Sequence, residues 1–264
     1  MPNLELLYSY TLQRFETQNK YICKNGLVIT LSIRYITHMA SLYMVATPIG
    51  NMQDITLRAL DVLKSVSAVA CEDTRQSGKL LSHFGISVRT LACHSHNMEA
   101  SVKGIISLLD SGNEIAYITD AGTPGISDPG SKLSSAARQA GHKVVPIPGP
   151  SAYASLVSVS GFSGKGIFFE GFLSPKQGKR KKRLQELMER NEDFIIYESP
   201  HRIVKFLQTI VDISPERPVL IGREMTKKYE EYFEGTAAEA LAEFSKRDKI
   251  YGEFSILVSK EKKR

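Results

Sequence analysis

The chain has 264 residues, 42% of them hydrophobic and 23% charged, with a formal charge of +6. That is the make-up of an ordinary globular protein, and the length suits two modest domains better than one. No stretch reaches the roughly 18 uncharged apolar residues of a membrane span, and Cys23, Cys71 and Cys93 form no C-x-x-C pair, which argues against a disulfide framework or a zinc site and suits a cytoplasmic location.

Residues 1–38 hold strand-like and polar fragments without a sustained period, and their apolar patch at 26–33 lies too far inside for a signal-peptide core. Met39 directly precedes a clean strand pattern, so 1–38 is set apart as an extension, with Met39 as an alternative start. From there short apolar strands alternate with helices. Strands are expected at Leu42–Ala46, Ala68–Cys71, Thr90–Cys93, Ile115–Thr119 and Val144–Ile147. Asp54 is expected to cap the first helix, and Gly85, Gly112 and Gly141 stand where helix C-termini need a left-handed residue. This alternation implies a mostly parallel sheet covered on both faces.

The stretch SGFSGKG at 160–166 interrupts the period. It divides an N-terminal α/β domain at 39–160 from a C-terminal α+β domain at 167–264, joined by a linker at 161–166. The second half predicts strands at Ile167–Phe172, Phe194–Glu198, Val219–Arg223, Tyr229–Gly235 and Phe254–Val258. A helix capped by Ser199 with Pro200 in its first turn is expected between the second and third of these. Thr236 and Glu239 form a capping-box pattern. The run KQGKRKKR, from Lys176 to Arg183, places six basic residues in eight. It reads either as a solvated helix face or as a contact for phosphates, with nucleic acid the first-choice partner.

In a parallel sheet, ligands bind beyond the carboxyl ends of the strands. The loops falling there are TPIGN (47–51), EDTR (72–75), HSHN (94–97), TDAGTPG (119–125) and PGPSA (148–152). Local roles compete for each: Asp73 as a helix cap, His94 and His96 as satisfied polar residues, Asp120 in an Asx turn. Two histidines at i and i+2 make a poor metal site, no G-x-S-x-G elbow is present, and neither G-x-G-x-x-G nor a Gly-Lys-Ser/Thr ending follows the strands. A rim rich in backbone amides and poor in activated nucleophiles suits a neutral or zwitterionic organic cofactor.

The motifs VATPIGNMQDITLRAL (45–60), CEDTR (71–75), HSHN, TDAGTPGISDPG (119–130), PGPSA, FEGFLSPK (169–176), YESPHR (197–202) and REMTKKYEE (223–231) occur in order. Together they resemble the ribosomal RNA small-subunit methyltransferase I family of the tetrapyrrole-methylase superfamily, from Leu42 to about Val258. The resemblance implies a two-domain α/β fold with S-adenosylmethionine in a cleft between the domains, a homodimer, and 2′-O-methylation of a cytidine in the decoding region of 16S rRNA in the small ribosomal subunit. It implies cofactor contacts at Gly122, Thr123, Pro124, Gly125 and Ile126, at Ser151 and Ala152, and near Tyr197, Gly222 and Phe254. Candidates to assist a weakly nucleophilic ribose hydroxyl are Asp73, His94, His96 and Glu198, with His201 and Glu224 beside them. Candidates for RNA phosphates are Arg75, Lys176, Lys179, Arg180, Lys181, Lys182, Arg183, Arg202 and Lys227. A tetrapyrrole methylase and a non-catalytic ribosome-binding protein remain as alternatives.

Overall fold

The computed structural model describes residues 17–24, 27–34, 39–94, 98–161 and 166–260. Strands β1 (Thr17–Lys24) and β2 (Leu27–Arg34) pair antiparallel as a hairpin within the N-terminal extension.

The first large sheet has the order β5-β4-β6-β3-β7, formed by β3 (Ser41–Val45), β4 (Ala68–Cys71), β5 (Arg89–Ala92), β6 (Ile115–Ile118) and β7 (Lys143–Ile147). Every pairing in it is parallel. Central strands β4 and β6 are buried at every position, as expected of strands covered on both faces. Alternating side chains feed two cores. Ala68, Ala70, Ile115 and Tyr117 pack with Ile105 and Leu109 of α3 (Met98–Asp110) and Leu133 of α4 (Gly130–Gln139). Val69, Cys71, Ala116 and Ile118 pack with Leu63 of α1 (Leu57–Ser65) and Leu80 of α2 (Thr74–His83). The α1 helix is capped by Thr56, whose hydroxyl accepts from the Ala59 amide at 3.1 Å, and not by Asp54, which ends a short 3-10 turn.

The second sheet has the order β11-β10-β12-β9-β8. Its strands are β8 (Ile167–Phe172), β9 (Asp193–Glu198), β10 (Pro218–Arg223), β11 (Glu231–Thr236) and β12 (Phe254–Val258). Only β8 and β9 run parallel. On one face Phe194, Ile196, Ile256 and Val258 pack under α6 (Gln177–Glu189), α7 (Ile203–Val211) and α8 (Ala237–Ser245). The α8 helix carries the expected capping box at Thr236 and Glu239. The α7 helix begins later than the sequence predicts: Ser199 O accepts from the amides of Arg202 and Ile203, so the Ser-Pro-His-Arg stretch is spent as a turn.

The opposite face of the second sheet meets the first half of the chain. Ile195, Leu220 and Leu257 pack with Ile49 and with Leu156 of α5 (Ala152–Val159). Thus α5, which precedes the 160–166 break in sequence, packs on the second sheet. Tyr197, two residues beyond Ile195 on the same face of β9, is carried to the edge of this junction.

Candidate functional site

All the Gly/Pro-rich loops lie at the carboxyl ends of the parallel strands, and the loop at 119–130 is braced from several sides. Gly122 (φ 84°) and Gly125 (φ 89°) adopt left-handed backbone open to glycine at little cost, and Ser127 adopts it with a side chain at φ 64°. The amide and carbonyl of Gly122 each bond Thr47 at 3.0 Å. The Thr123 hydroxyl donates to Pro150 O at 2.9 Å. Asp128 accepts from the amides of Gly125 and Gly130, both at 2.7 Å, and from the Tyr117 hydroxyl at 3.4 Å. The amides of Gly122 and Gly125 therefore shape the loop. Those of Ala121 and Thr123 have no hydrogen bond among the described residues, and both residues line the cleft.

The cleft between the sheets encloses about 530 Å³. From the first half it is lined by Ile49, by the loop residues Asp120–Thr123 and Ile126–Asp128, and by Ser151 and Ala152; from the second, by Phe172, Tyr197, Glu198, Phe254 and Ser255. Phe169 and Phe172 meet Tyr197 edge-on at 5.0 and 5.7 Å and fix its ring. Burial pushes the Tyr197 phenol up to about 12, so it stays a neutral donor. The acidic residues Glu72, Asp120, Asp128, Glu198 and Glu253 also line the cleft, the Glu198 carboxylate itself lying shielded behind its wall. Burial, then the charges of Asp120 and Asp128, raises the pKa of Glu72, with His94 pulling it back.

Glu198 is buried, with its side chain wholly shielded from solvent. Its Oε1 accepts from Arg202 and from the Ser199 amide, both at 2.7 Å, while Oε2 has no partner among the described residues. A buried carboxylate oxygen without a donor is costly. Apolar walls, unengaged amides and this negative lining fit a ligand with a carboxylate at one end, a ring at the other and positive charge between.

A second cavity, of about 470 Å³, adjoins the first and shares Ile49, Thr119, Asp120, Ala121 and Glu253 with it. Burial, and the charge of nearby Asp73, raises the pKa of Asp120, while the Asp73 amide and His94 oppose the shift.

The structure separates the sequence candidates. Among the cofactor candidates, Gly122, Thr123, Ile126, Ser151, Ala152, Tyr197 and Phe254 line the cleft, while Pro124, Gly125 and Gly222 do not. Gly222 is small for packing: a Cβ there would meet Met225 Sδ at 2.7 Å and Leu156 Cδ1 at 3.1 Å. Asp73 lies outside both cavities. Its Oδ1 accepts from the Arg75 amide at 2.8 Å, capping α2, and its pKa is lowered by that amide and the Arg75 guanidinium. His94 is exposed and lines neither cavity, and His96 lies outside the described residues.

The basic run also divides. Lys176, Lys179, Lys181 and Lys182 are exposed. Arg180 is buried at 4% exposure, on the face of α6 that carries Leu184, Leu187 and Met188, which corrects its assignment as a surface cation. Arg183 forms a two-pronged pair with Glu170, at 2.7 and 2.8 Å, and binds Glu186. Arg202 is engaged by Glu198, and Lys227 by Glu224 and Glu253 at 2.7 and 3.0 Å. Arg75 projects, its side chain 88% exposed, and keeps a pair with Asp73. The sequence candidates omitted Asp120, because an aspartate after a strand is so readily explained by a local turn.

Residues 41–241 match the family profile described as tetrapyrrole (corrin/porphyrin) methylases. The chain belongs to this methylase family. Curated relatives named "Ribosomal RNA small subunit methyltransferase I" align with most of it. That of Borrelia garinii subsp. bavariensis is 47% identical over 83% of this chain and 98% of its own length. That of Bacillus subtilis is 43% identical over 83% of this chain and 75% of its own. The Thermotoga maritima relative is 41% identical over 84% of this chain and 99% of its own. The methylase is thus a methyltransferase with S-adenosylmethionine as methyl donor. The cleft residues fit that group: its carboxylate suits the Ala121 and Thr123 amides, and its ammonium and sulfonium charges suit the acidic lining. No helix among the described residues is long and apolar enough to cross a membrane.

Proposed function

We propose that the methylase modifies ribosomal RNA of the small subunit, at the 2′-hydroxyl of a cytidine ribose in the decoding region of 16S rRNA, and that it works as a homodimer in the cytoplasm. The division into units at 39–160 and 167–264, with the donor held between them, is part of this reading. The observation that carries it is the acidic, amide-lined cleft of about 530 Å³ beside a second cavity reached by Lys79 and Lys227. The names of the relatives support ribosomal RNA as the acceptor.

Methyl transfer from a sulfonium is an in-line displacement, so the enzyme's main contribution is to hold donor and acceptor in alignment. In this assignment the Ala121 and Thr123 amides hold the donor's carboxylate, and Tyr197, Ile126 and Ala152 enclose it. The bound donor supplies the methyl group. Lys176, Lys179, Lys181, Lys182 and Arg75 are the cations placed to meet RNA phosphates without reading sequence.

Labelled S-adenosylmethionine incubated with the protein and undermethylated small ribosomal subunits tests the reading. Label in a 2′-O-methylcytidine of 16S rRNA supports it; label transferred to precorrin but not to RNA contradicts it.

A further inference from the structure

The second cavity has a chemistry of its own. Pro48, Ile49, Met52 and Leu80 give it an apolar side, and Lys79 and Lys227 carry positive charge to it. Two acidic side chains belong to both cavities, Asp120 and Glu253. They are not equivalent. Glu253 is paired with Lys227 at 3.0 Å, and its side chain is 78% exposed. Asp120 is committed through Oδ1 alone, to the Asp73 amide at 3.2 Å, and Oδ2 has no partner among the described residues. It sits on the wall between the two spaces, and the bridge between Thr47 and Gly122, one bond each way at 3.0 Å, holds that wall in place.

We propose that the second cavity receives the acceptor nucleoside of an RNA, its base against the apolar side, its flanking phosphates toward Lys79 and Lys227, and its ribose hydroxyl against Asp120. This rests on the RNA-methylase reading and gives that reading an acceptor site and a catalytic carboxylate. The step balances simply. The hydroxyl oxygen forms a bond to the methyl carbon as the carbon–sulfur bond breaks, sulfur keeps that bond's electron pair and becomes a neutral thioether, and the hydroxyl proton passes to Asp120 and then to solvent. Asp120, whose pKa is raised by partial desolvation at the cavity wall, suits brief proton acceptance better than Asp73, whose pKa is lowered by the amide and guanidinium of Arg75. In this assignment donor and acceptor each have their own space, and they meet at one residue.

The test uses the full chain, undermethylated small subunits and three variants. Asp120→Asn keeps the shape and the bond to the Asp73 amide; it should lower kcat by about 100-fold or more, the usual contribution of a positioned base, with the thermal midpoint close to wild type. Met52→Ala and Lys79→Ala alter the cavity's outer parts; each should raise KM for the subunit about fivefold, worth about 1 kcal/mol, with donor affinity unchanged. Near-wild-type turnover by Asp120→Asn, or donor affinity falling in step with methylation in the Met52 and Lys79 variants, would overturn the assignment. Wild-type methylation of RNA with all three variants unaltered strikes the acceptor site alone; donor binding by wild type with no methylation of any RNA strikes the function and the site together.

Discussion

The amide of Asp73 donates to Oδ1 of Asp120 at 3.2 Å, tying the loop after β4 to the loop after β6. The Asp73 carboxylate turns the other way, to the amide and guanidinium of Arg75 at the start of α2. One residue thus orients the cleft acid with its backbone and caps a helix with its side chain. Asp73→Ala should therefore lower stability modestly, as loss of an N-cap does, and leave kcat for methylation within about threefold of wild type. Denaturant unfolding and initial rates check the two halves; a loss of rate comparable with that of Asp120→Asn would return Asp73 to the chemistry.

The Asp128 carboxylate accepts the Gly125 and Gly130 amides and the Tyr117 hydroxyl, so it sets the curvature of the loop. Asp128→Ala strands the two amides and the hydroxyl in a part-buried setting and should destabilise the fold by about 2–3 kcal/mol, given that hydrogen bonds to charged groups are worth about 1.5–3 each. At a temperature where the variant is folded, calorimetry should show a smaller change in donor affinity. A large affinity loss without a shift in unfolding midpoint would make Asp128 a ligand contact instead of a brace.

Reversing Lys179, Lys181 and Lys182 to glutamate should weaken subunit binding and flatten its salt dependence, since each lost phosphate contact removes close to one unit from the slope of log affinity on log salt. These lysines are exposed, so the unfolding midpoint should hold. Arg180→Glu and Arg183→Glu should behave differently. The first places an acid on the core-facing side of α6, and the second breaks the two-pronged pair with Glu170. Both should lower stability, Arg180→Glu by about 3 kcal/mol for a disrupted buried charge and Arg183→Glu by less, because the Arg183 side chain is 31% exposed. Thermal melts of the five single variants separate the groups.

Glu231 joins Arg223 at 3.0 Å and Arg247 at 2.9 Å, and the Arg247 bonds, ahead of those from Arg223, hold its pKa below the ordinary glutamate value. A carboxylate depressed on folding adds stability that is fully present above its unfolded pKa of about 4.3 and is lost as pH falls through the lower folded value. Unfolding measured down a pH series should show wild type losing more stability than Glu231→Gln below about pH 4.3. Parallel curves would remove the network from the acid response.

Much of the fold was legible because the chain keeps its periods. Buried β4 and β6 read as short apolar runs, and Gly85, Gly112 and Gly141 take the left-handed backbone that ends a helix. What misled was context that period does not carry. Arg180 lies four residues before Leu184 and so on the same helix face, a signal masked by the charge density of its run. The pairing of Arg183 with Glu170 joins residues 13 apart, across the β8–α6 connection. Pro200 fits a helix start, yet the turn closed by Ser199 O delays α7 to Ile203. In the site, the Gly/Pro loops announced a cleft on one rim. Asp120 did not stand out, because only the placement of two cavities against each other distinguishes it from a turn aspartate.

The central claim is that this methylase places a methyl group on one cytidine ribose of 16S rRNA. Ribose methylation mapped across 16S rRNA, from cells with and without the protein, tests it most directly. A single 2′-O-methylcytidine in the decoding region should vanish without the protein and return with the wild-type chain but not with Asp120→Asn. An unchanged methylation map in cells lacking the protein would contradict the account.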